Sequence, residues 1–216
     1  MMLRINDIAP DFEANTTLGK LKFHSFLGNS WGLLFSHPKD FTPVCTTELG
    51  YMAKIEEEFI SRNCKLIGLS VDSVDDHIKW KKDIEETQNA SVNYPLIADQ
   101  DLKIAKLYNM LPAEEAPDTN RTALTNATVR SIFLIDPEKK IRMMLTYPMT
   151  TGRNFHEILR VLDSIQLSTK KKVATPANWN QNDDVIIVPA VSDEEAKELF
   201  GNFKKIKPYL RYTKLN

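Results

Sequence analysis

Two short apolar runs leave this chain little choice of fold. They are Trp31-Gly32-Leu33-Leu34-Phe35-Ser36 and Lys65-Leu66-Ile67-Gly68-Leu69-Ser70-Val71, each bounded by polar or turn residues, and each reads as a buried strand. Between them, Leu49, Met52, Ile55 and Phe59 recur at three- and four-residue intervals, with Glu56-Glu57-Glu58 largely off that stripe, which predicts one helix over 43–62. Strand, helix and strand at this spacing form a βαβ unit, so at least part of the sheet is parallel. Helical spacing returns over 74–86, a short strand is expected at 94–97 and a short helix at 102–108. Residues 129–135 and 141–147 read as a hairpin about Asp136-Pro137-Glu138-Lys139, and Asn154, with Glu157 three positions on, caps a helix running to about residue 167. Alternating strands and helices predict an α/β sheet with an antiparallel edge, and a thioredoxin-like topology fits that order. The polar stretch 109–127, with Pro112 and Pro117, is long enough to be a functional loop.

The character changes after Leu167. Ser168-Thr169-Lys170-Lys171-Lys172 is followed by Pro176 and a run of Asn and Asp, which predicts a boundary between a domain at 1–167 and a small C-terminal α+β extension at 168–216. The extension carries a strand at 185–188, a helix capped by Ser192 with Glu195 at its third position, and a tail over 209–214. About fifty residues bury too little to stand alone, so this piece is expected to pack on the main domain or on another subunit.

Composition excludes several classes. The 216 residues carry 28 basic and 29 acidic side chains, a net charge of −1, which argues against a nucleic-acid partner and makes Lys170-Lys171-Lys172 a solvated linker. No apolar run approaches the roughly 18 residues of a membrane span, so stable membrane insertion is not expected. The first residues have no apolar signal core, and Asp7 and Asp11 argue against a transit peptide; a cytoplasmic location is expected.

The two cysteines, Cys45 and Cys64, are too few for a disulfide framework and are not in CxxC spacing, which removes a zinc ribbon and a dithiol redox motif. Cys45 lies in His37-Pro38-Lys39-Asp40-Phe41-Thr42-Pro43-Val44-Cys45-Thr46-Thr47-Glu48, between the first strand and the helix. Thr42 is a preferred N-cap and Pro43 suits the first helical position, so Cys45 is the third helical residue. There, unpaired N–H groups and the positive end of the helix favour an anion, here a thiolate. Cys45 shares its face with Leu49, Met52 and Ile55 and points at the sheet, under a loop stiffened by Pro38 and Pro43. Packing explains a cysteine on an inner stripe equally well, and these residues alone leave packing and catalysis both open.

The spacing Pro38-x-x-x-Thr42-x-x-Cys45 resembles the peroxidatic motif of peroxiredoxins. Residues 11–17, 31–38 and 147–155, together with Val173-Ala174-Thr175-Pro176 and Tyr209-Leu210-Arg211-Tyr212-Thr213, are similar to the one-cysteine subfamily, so the resemblance covers nearly the whole chain. It implies that Cys45 is the peroxidatic cysteine, Thr42 the hydroxyl that contacts the peroxide, Pro38 the ring that shields it and Arg130 the arginine beside the thiolate. Taken alone, a charge before the apolar run Ile132-Phe133-Leu134 reads as a solvated strand end. Glu48 and Arg153 match residues that orient the site, and His37 matches a neighbouring histidine; a structural loop histidine is its plain alternative.

The implied activity is thiol-dependent reduction of hydrogen peroxide and organic hydroperoxides through a sulfenic acid, in antioxidant defence, with no metal or other cofactor. Cys64 is the sole candidate for a resolving thiol, and its place at the start of a strand reads as packing, so reduction is expected from an external thiol such as glutathione or a thioredoxin-type protein. A homodimer with the C-terminal piece at its interface is also implied. Two alternatives remain in view. Gly28-Asn29-Ser30-Trp31-Gly32 is a G-x-S-x-G string, matched in some subfamily members to a phospholipase serine with a histidine at His24, although Ser30 precedes a strand rather than a helix and Glu138 stands where the family's acid is Asp. A chaperone-like binding module that kept the fold is the other.

Overall fold

The computed structural model describes residues 3–113 and 126–215, in two compact units, Met1–Arg153 and Asn154–Asn216. Residues 114–125 of the expected polar connection lie outside the described residues.

The first unit is built on β1 (Glu13–Thr16), β2 (Gly19–Lys22), β3 (Trp31–Ser36), β4 (Cys64–Ser70), β5 (Leu96–Ala98), β6 (Arg130–Ile135) and β7 (Ile141–Tyr147), in the order β2-β1-β5-β4-β3-β6-β7. The expected βαβ unit is present: β3 and β4 run parallel, with Trp31 opposite Cys64 and Ser36 opposite Leu69, and β5 continues the parallel set. β6 lies antiparallel to β3 and forms the expected hairpin with β7. Every residue of β3 and β6 is buried, as continuous apolar strands at the centre of a covered sheet must be. Helices α1 (Phe23–Leu27) and α5 (Lys103–Leu107) bring Phe23, Leu27 and Ile104 to a core with Leu34, Ile67, Leu69 and Phe133. Phe35 follows Leu34 and therefore points to the opposite face. There it meets Tyr94 edge-on at 5.8 Å, and the Tyr94 hydroxyl donates to the Leu49 carbonyl (3.2 Å).

The single helix expected over 43–62 is two helices, α2 (Pro43–Lys54) and α3 (Glu56–Ile60), broken at Ile55 (φ −107°, ψ 13°). Cys45, Leu49, Met52 and Phe59 are fully buried, whereas Ile55 is only partly so; the break re-aims the chain and returns Phe59 to the core. Glu56, Glu57 and Glu58 then occupy the first turn of α3, where the positive end of a new helix favours carboxylates. Helix α4 (Val74–Gln88) starts at Ser73, whose hydroxyl accepts from the Asp76 amide, and buries His77, Trp80 and Ile84. A Cβ on Gly50 would lie 2.4 Å from Gln88 Cγ, so this glycine sets how closely α2 and α4 pack.

The second unit holds α6 (Phe155–Lys170), β8 (Val173–Ala174), β9 (Val185–Ile187), α7 (Asp193–Phe200), β10 (Lys204–Lys207) and β11 (Leu210–Thr213), with a sheet in the order β10-β11-β9-β8. Asn154 and Ser192 cap α6 and α7 as expected. The compact units divide ahead of α6, not after residue 167. Leu167 packs against Val173, Trp179 and Val185, Arg160 donates to the Trp179 carbonyl (3.2 Å), and Ser164 bonds Thr175 (2.6 Å), so the helix clusters with the strands that follow it. Among the described residues no helix is long and apolar enough to cross a membrane.

Candidate active site

Cys45 sits where the sequence pattern predicts, two residues beyond Pro43 at the start of α2 and at the C-terminal ends of the parallel strands, the usual end for ligands in an open α/β sheet. Its side chain is completely buried. The first intrahelical bond runs from the Thr46 amide to the Thr42 carbonyl (3.0 Å), so the Val44 and Cys45 amides precede the helical ladder. Thr42 has the extended backbone of an N-cap (φ −121°, ψ 146°) but makes no side-chain cap bond; its hydroxyl donates to the Lys39 carbonyl (2.8 Å). Pro38 is buried in the same loop.

Arg130, at the start of β6, is 2% exposed, which overturns the solvated strand end. Its Nη1 is 3.4 Å from the Cys45 sulfur and donates to Glu48 Oε2 (2.6 Å), while Nε and Nη2 both donate to the Met149 carbonyl (2.9 and 2.6 Å). Glu48 stands one turn after Cys45, on the same helix face. It accepts from Arg153 as well, through the backbone amide (2.7 Å), Nε (2.9 Å) and Nη2 (2.7 Å). Arg153 Nη1 donates to the Ser36 and Ser131 carbonyls, and its guanidinium lies 5.3 Å from the Phe35 ring. Burial pushes the Glu48 carboxyl up, but the hydrogen bonds and charge of Arg153, with the charge of Arg130, outweigh it and hold the group below its ordinary range.

Among the described residues Glu48 pairs with both guanidiniums, and this burial in common is what brings two arginine side chains to the base of the Cys45 helix. The Cys45 sulfur is the remaining group that Arg130 Nη1 faces in this cluster. Guanidinium N–H groups held in this way can face an anion at the sulfur's position or an oxygen that acquires charge next to it.

His37 is buried in the same loop, and its Nε2 faces Asp40 Oδ1 (2.8 Å); the other Asp40 oxygen faces His77 Nδ1 (2.6 Å). Asp40 and His77 were not picked out by pattern reading. Their signals were a polar residue inside the Cys45 loop and a histidine on the inner stripe of α4 with Trp80 and Ile84. In this trio each Asp40 oxygen lies at hydrogen-bond distance from one histidine nitrogen.

Cys64 opens β4, is 2% exposed, and burial pushes its thiol up to about 12. Ser30 lies before β3, as expected, and donates to Asn63 Oδ1 (2.9 Å); the His24 ring bonds the Ala9 carbonyl (2.7 Å), and Glu138 pairs with Lys140 (2.7 Å). Among the described residues no hydrogen bond joins Ser30 to His24. A cleft of about 380 Å³ lined by Phe26, Ser30, Asn63 and Cys64 opens at the opposite ends of β3 and β4 from Cys45.

Comparison with known proteins adds to this geometry. Residues 5–144 match the AhpC/TSA family, and residues 164–202 match the C-terminal domain of 1-Cys peroxiredoxin. A 1-Cys peroxiredoxin of Dictyostelium discoideum is 57% identical over 212 residues, covering 98% of this chain and 85% of that protein. Peroxiredoxin-6 of Mus musculus is 52% identical over 221 residues, covering 98% and 97%. The yeast mitochondrial 1-Cys peroxiredoxin, solved to explain its thiol resolution by the glutathione and thioredoxin systems, superposes with a TM-score of 0.90 at 55% identity, over 99% of this chain and 100% of that one. A cysteine-to-serine variant of peroxiredoxin 6 from Arenicola marina gives 0.91 at 48% identity, over 99% of each chain.

Proposed function

We propose, for a chain that belongs to the AhpC/TSA family and has the two-part build of the 1-Cys peroxiredoxins, that Cys45 is its single peroxidatic cysteine and that Arg130, Thr42, Pro38, Glu48 and Arg153 form the site around it. The chain is a peroxiredoxin with a thioredoxin-like fold, a thiol-dependent peroxidase that relies on an external reductant. The observation that carries the site assignment is Arg130 Nη1 at 3.4 Å from the Cys45 sulfur within a buried cluster of two guanidiniums about Glu48.

The Cys45 thiolate attacks one oxygen of a hydroperoxide. The sulfur–oxygen bond forms from the sulfur lone pair, the O–O bond breaks with its electrons, and the leaving alkoxide or hydroxide takes a proton to depart as alcohol or water. Charge moves from sulfur to the leaving oxygen beside Arg130, whose four polar contacts hold its fork in place throughout. Glu48 and Arg153 position that guanidinium. The Thr42 hydroxyl spends its proton on Lys39 and keeps lone pairs for the peroxide O–H, while Pro38 shields the sulfur.

An external thiol then condenses with the sulfenic acid, releasing water and leaving a mixed disulfide, and a second thiol reduces that bond. Glutathione or a thioredoxin-type protein fills this role, by analogy with the yeast relative. Cys64, buried with its thiol held protonated, does not resolve it. The pairing of Ser30 and His24 with other groups gives the phospholipase alternative no support.

The C-terminal segment from residue 168 serves a homodimer: Leu199, Ile206 and Tyr209 expose 51%, 49% and 68% of their surface, an apolar set that a partner subunit would cover. A reducing compartment suits two free cysteines. The cytosol is the location we propose, and fractionation against the mitochondrion, where the yeast relative resides, decides it. Steady-state peroxide consumption with glutathione, a thioredoxin and a small dithiol in parallel tests the function. Turnover with at least one of them, abolished by Cys45→Ser, is expected; no consumption with any would leave a binding module that kept the fold.

A further inference from the structure

Two residues of the loop from His37 to Thr42, His37 and Asp40, form with His77 of α4 a buried ionisable trio that the chemistry at Cys45 does not use. Asp40 and His77 are 2% and 0% exposed. His77 Nδ1 faces Asp40 Oδ2 at 2.6 Å and His77 Nε2 faces the Ile97 carbonyl at 3.0 Å. A carbonyl and a carboxylate only accept hydrogen bonds, so both ring nitrogens must carry protons and the ring is an imidazolium. We infer that His77 is a positioning residue of the peroxidase, a buried cation whose ion pair with Asp40 fixes the loop that bears Pro38 and Thr42 and leads into the Cys45 helix.

Asp40 is the hub of that loop. Its amide donates to Asp72 Oδ2 (2.9 Å), and its other carboxylate oxygen faces His37 Nε2 (2.8 Å). His37 is tied at both backbone ends, its amide to the Leu69 carbonyl (2.9 Å) and its carbonyl to the Thr128 hydroxyl (2.7 Å). Phe41, the residue after Asp40, has φ of +55°, a left-handed conformation that a bulky side chain holds only when its surroundings enforce it. His37 Nε2 donates to Asp40, and among the described residues the other ring nitrogen, Nδ1, is buried with no hydrogen-bond partner. The ionisable groups facing His77 are Asp40 and His37 from the loop and Asp72 from the turn before α4, while β5 presents only the neutral Ile97 carbonyl. Burial disfavours the His77 cation, but Asp40, the Ile97 carbonyl and Asp72 outweigh it and raise its ionisation above 6.5; Asp40 is held down to about 2.

This rests on the peroxidase reading for its kinetic consequence but not for its protonation state, so two measurements separate them. Nitrogen-15 spectra of the histidine rings in the reduced wild-type protein should find His77 protonated on both nitrogens at pH 7; a singly protonated His77 overturns the inference. Stopped-flow peroxide reaction across pH should find an alkaline loss of rate as His77 deprotonates. His77→Asn, which keeps a donor toward Asp40 but loses the charge, should react at the lowered alkaline rate of the wild type across the whole pH range and so lack that loss. His77→Gln, whose amide reaches Ile97 but not Asp40, should be slower by about tenfold or more. A His77→Gln protein with the wild-type rate and pH profile overturns the positioning role. If a variant does not fold, the wild-type spectra still decide. A wild-type chain with a doubly protonated His77 that reduces no peroxide would refute the peroxidase reading and leave the ion pair standing.

Discussion

Arg130 Nη1 donates to the Cys45 sulfur at 3.4 Å and to Glu48 Oε2 at 2.6 Å, so one nitrogen links the thiol group to the carboxylate that also takes Arg153. The other two guanidinium nitrogens are spent on the Met149 carbonyl. The arginine's fork is therefore held by groups already present in the fold, beside the sulfur.

Replacing Arg130 by Met should slow the reaction of Cys45 with hydrogen peroxide by roughly a hundredfold, the scale of losing a preorganised charge-stabilising donor. Arg130→Lys should recover little, because one ammonium cannot reach the sulfur, Glu48 and Met149 together. Single-turnover fluorescence measures both; a near-wild-type Lys variant would mean that charge alone suffices.

Glu48→Gln leaves two buried guanidiniums facing a neutral amide. Removing one partner of a buried ion pair costs about 3–5 kcal/mol, and denaturant unfolding should find a loss on that scale. An unchanged midpoint would mean the cluster is solvated.

Acid should destabilise the fold in a defined window. Glu48 and Asp40 ionise below their ordinary values of 4.5 and 3.8, Asp40 at about 2. A carboxylate held lower in the fold than in the open chain adds stability above its ordinary value and loses it as pH falls through the folded one. Stability should thus decline below pH 4.5 and on toward 2, less steeply in Glu48→Gln. His77 runs the other way: raised above 6.5, its contribution is complete below that pH and fades as pH rises through the folded value. Chemical denaturation as a function of pH checks both limbs.

The start of α2 was legible because its cues are local: Thr42, Pro43 and Cys45 are successive caps and turn positions, and the inner stripe says which way the thiol faces. Arg130 was legible only through the family resemblance, since a charge at a strand start reads as solvated; its burial depends on Glu48, 82 positions away in the chain. The trio of His37, Asp40 and His77 joins a loop to a helix 37 positions on, and its sequence traces were a polar residue inside the Cys45 loop and a histidine among Trp80 and Ile84. The break at Ile55 had no trace, because Ile55 and the glutamates after it all suit a helix. The β1–β2 hairpin was missed for a like reason: Glu-Ala-Asn-Thr and Gly-Lys-Leu-Lys are short and mostly exposed, with little alternation to read.

Introducing a charge on the C-terminal surface should separate the proposed dimer. Leu199→Asp with Tyr209→Asp places carboxylates on side chains that are exposed in the single chain. Sedimentation velocity should find a dimer for the wild type and a monomer for the double variant. A wild-type monomer at micromolar concentration, or a variant that stays dimeric, would move the interface elsewhere.

The central claim is that one cysteine, Cys45, takes the peroxide oxygen and waits for an outside thiol. Treating the reduced protein with one equivalent of hydrogen peroxide in the presence of dimedone, followed by peptide mass spectrometry, addresses it directly. A sulfenic-acid adduct on Cys45, with Cys64 unmodified and no Cys45–Cys64 disulfide when dimedone is omitted, is the predicted result. An adduct on Cys64, or a disulfide between the two cysteines, would contradict it.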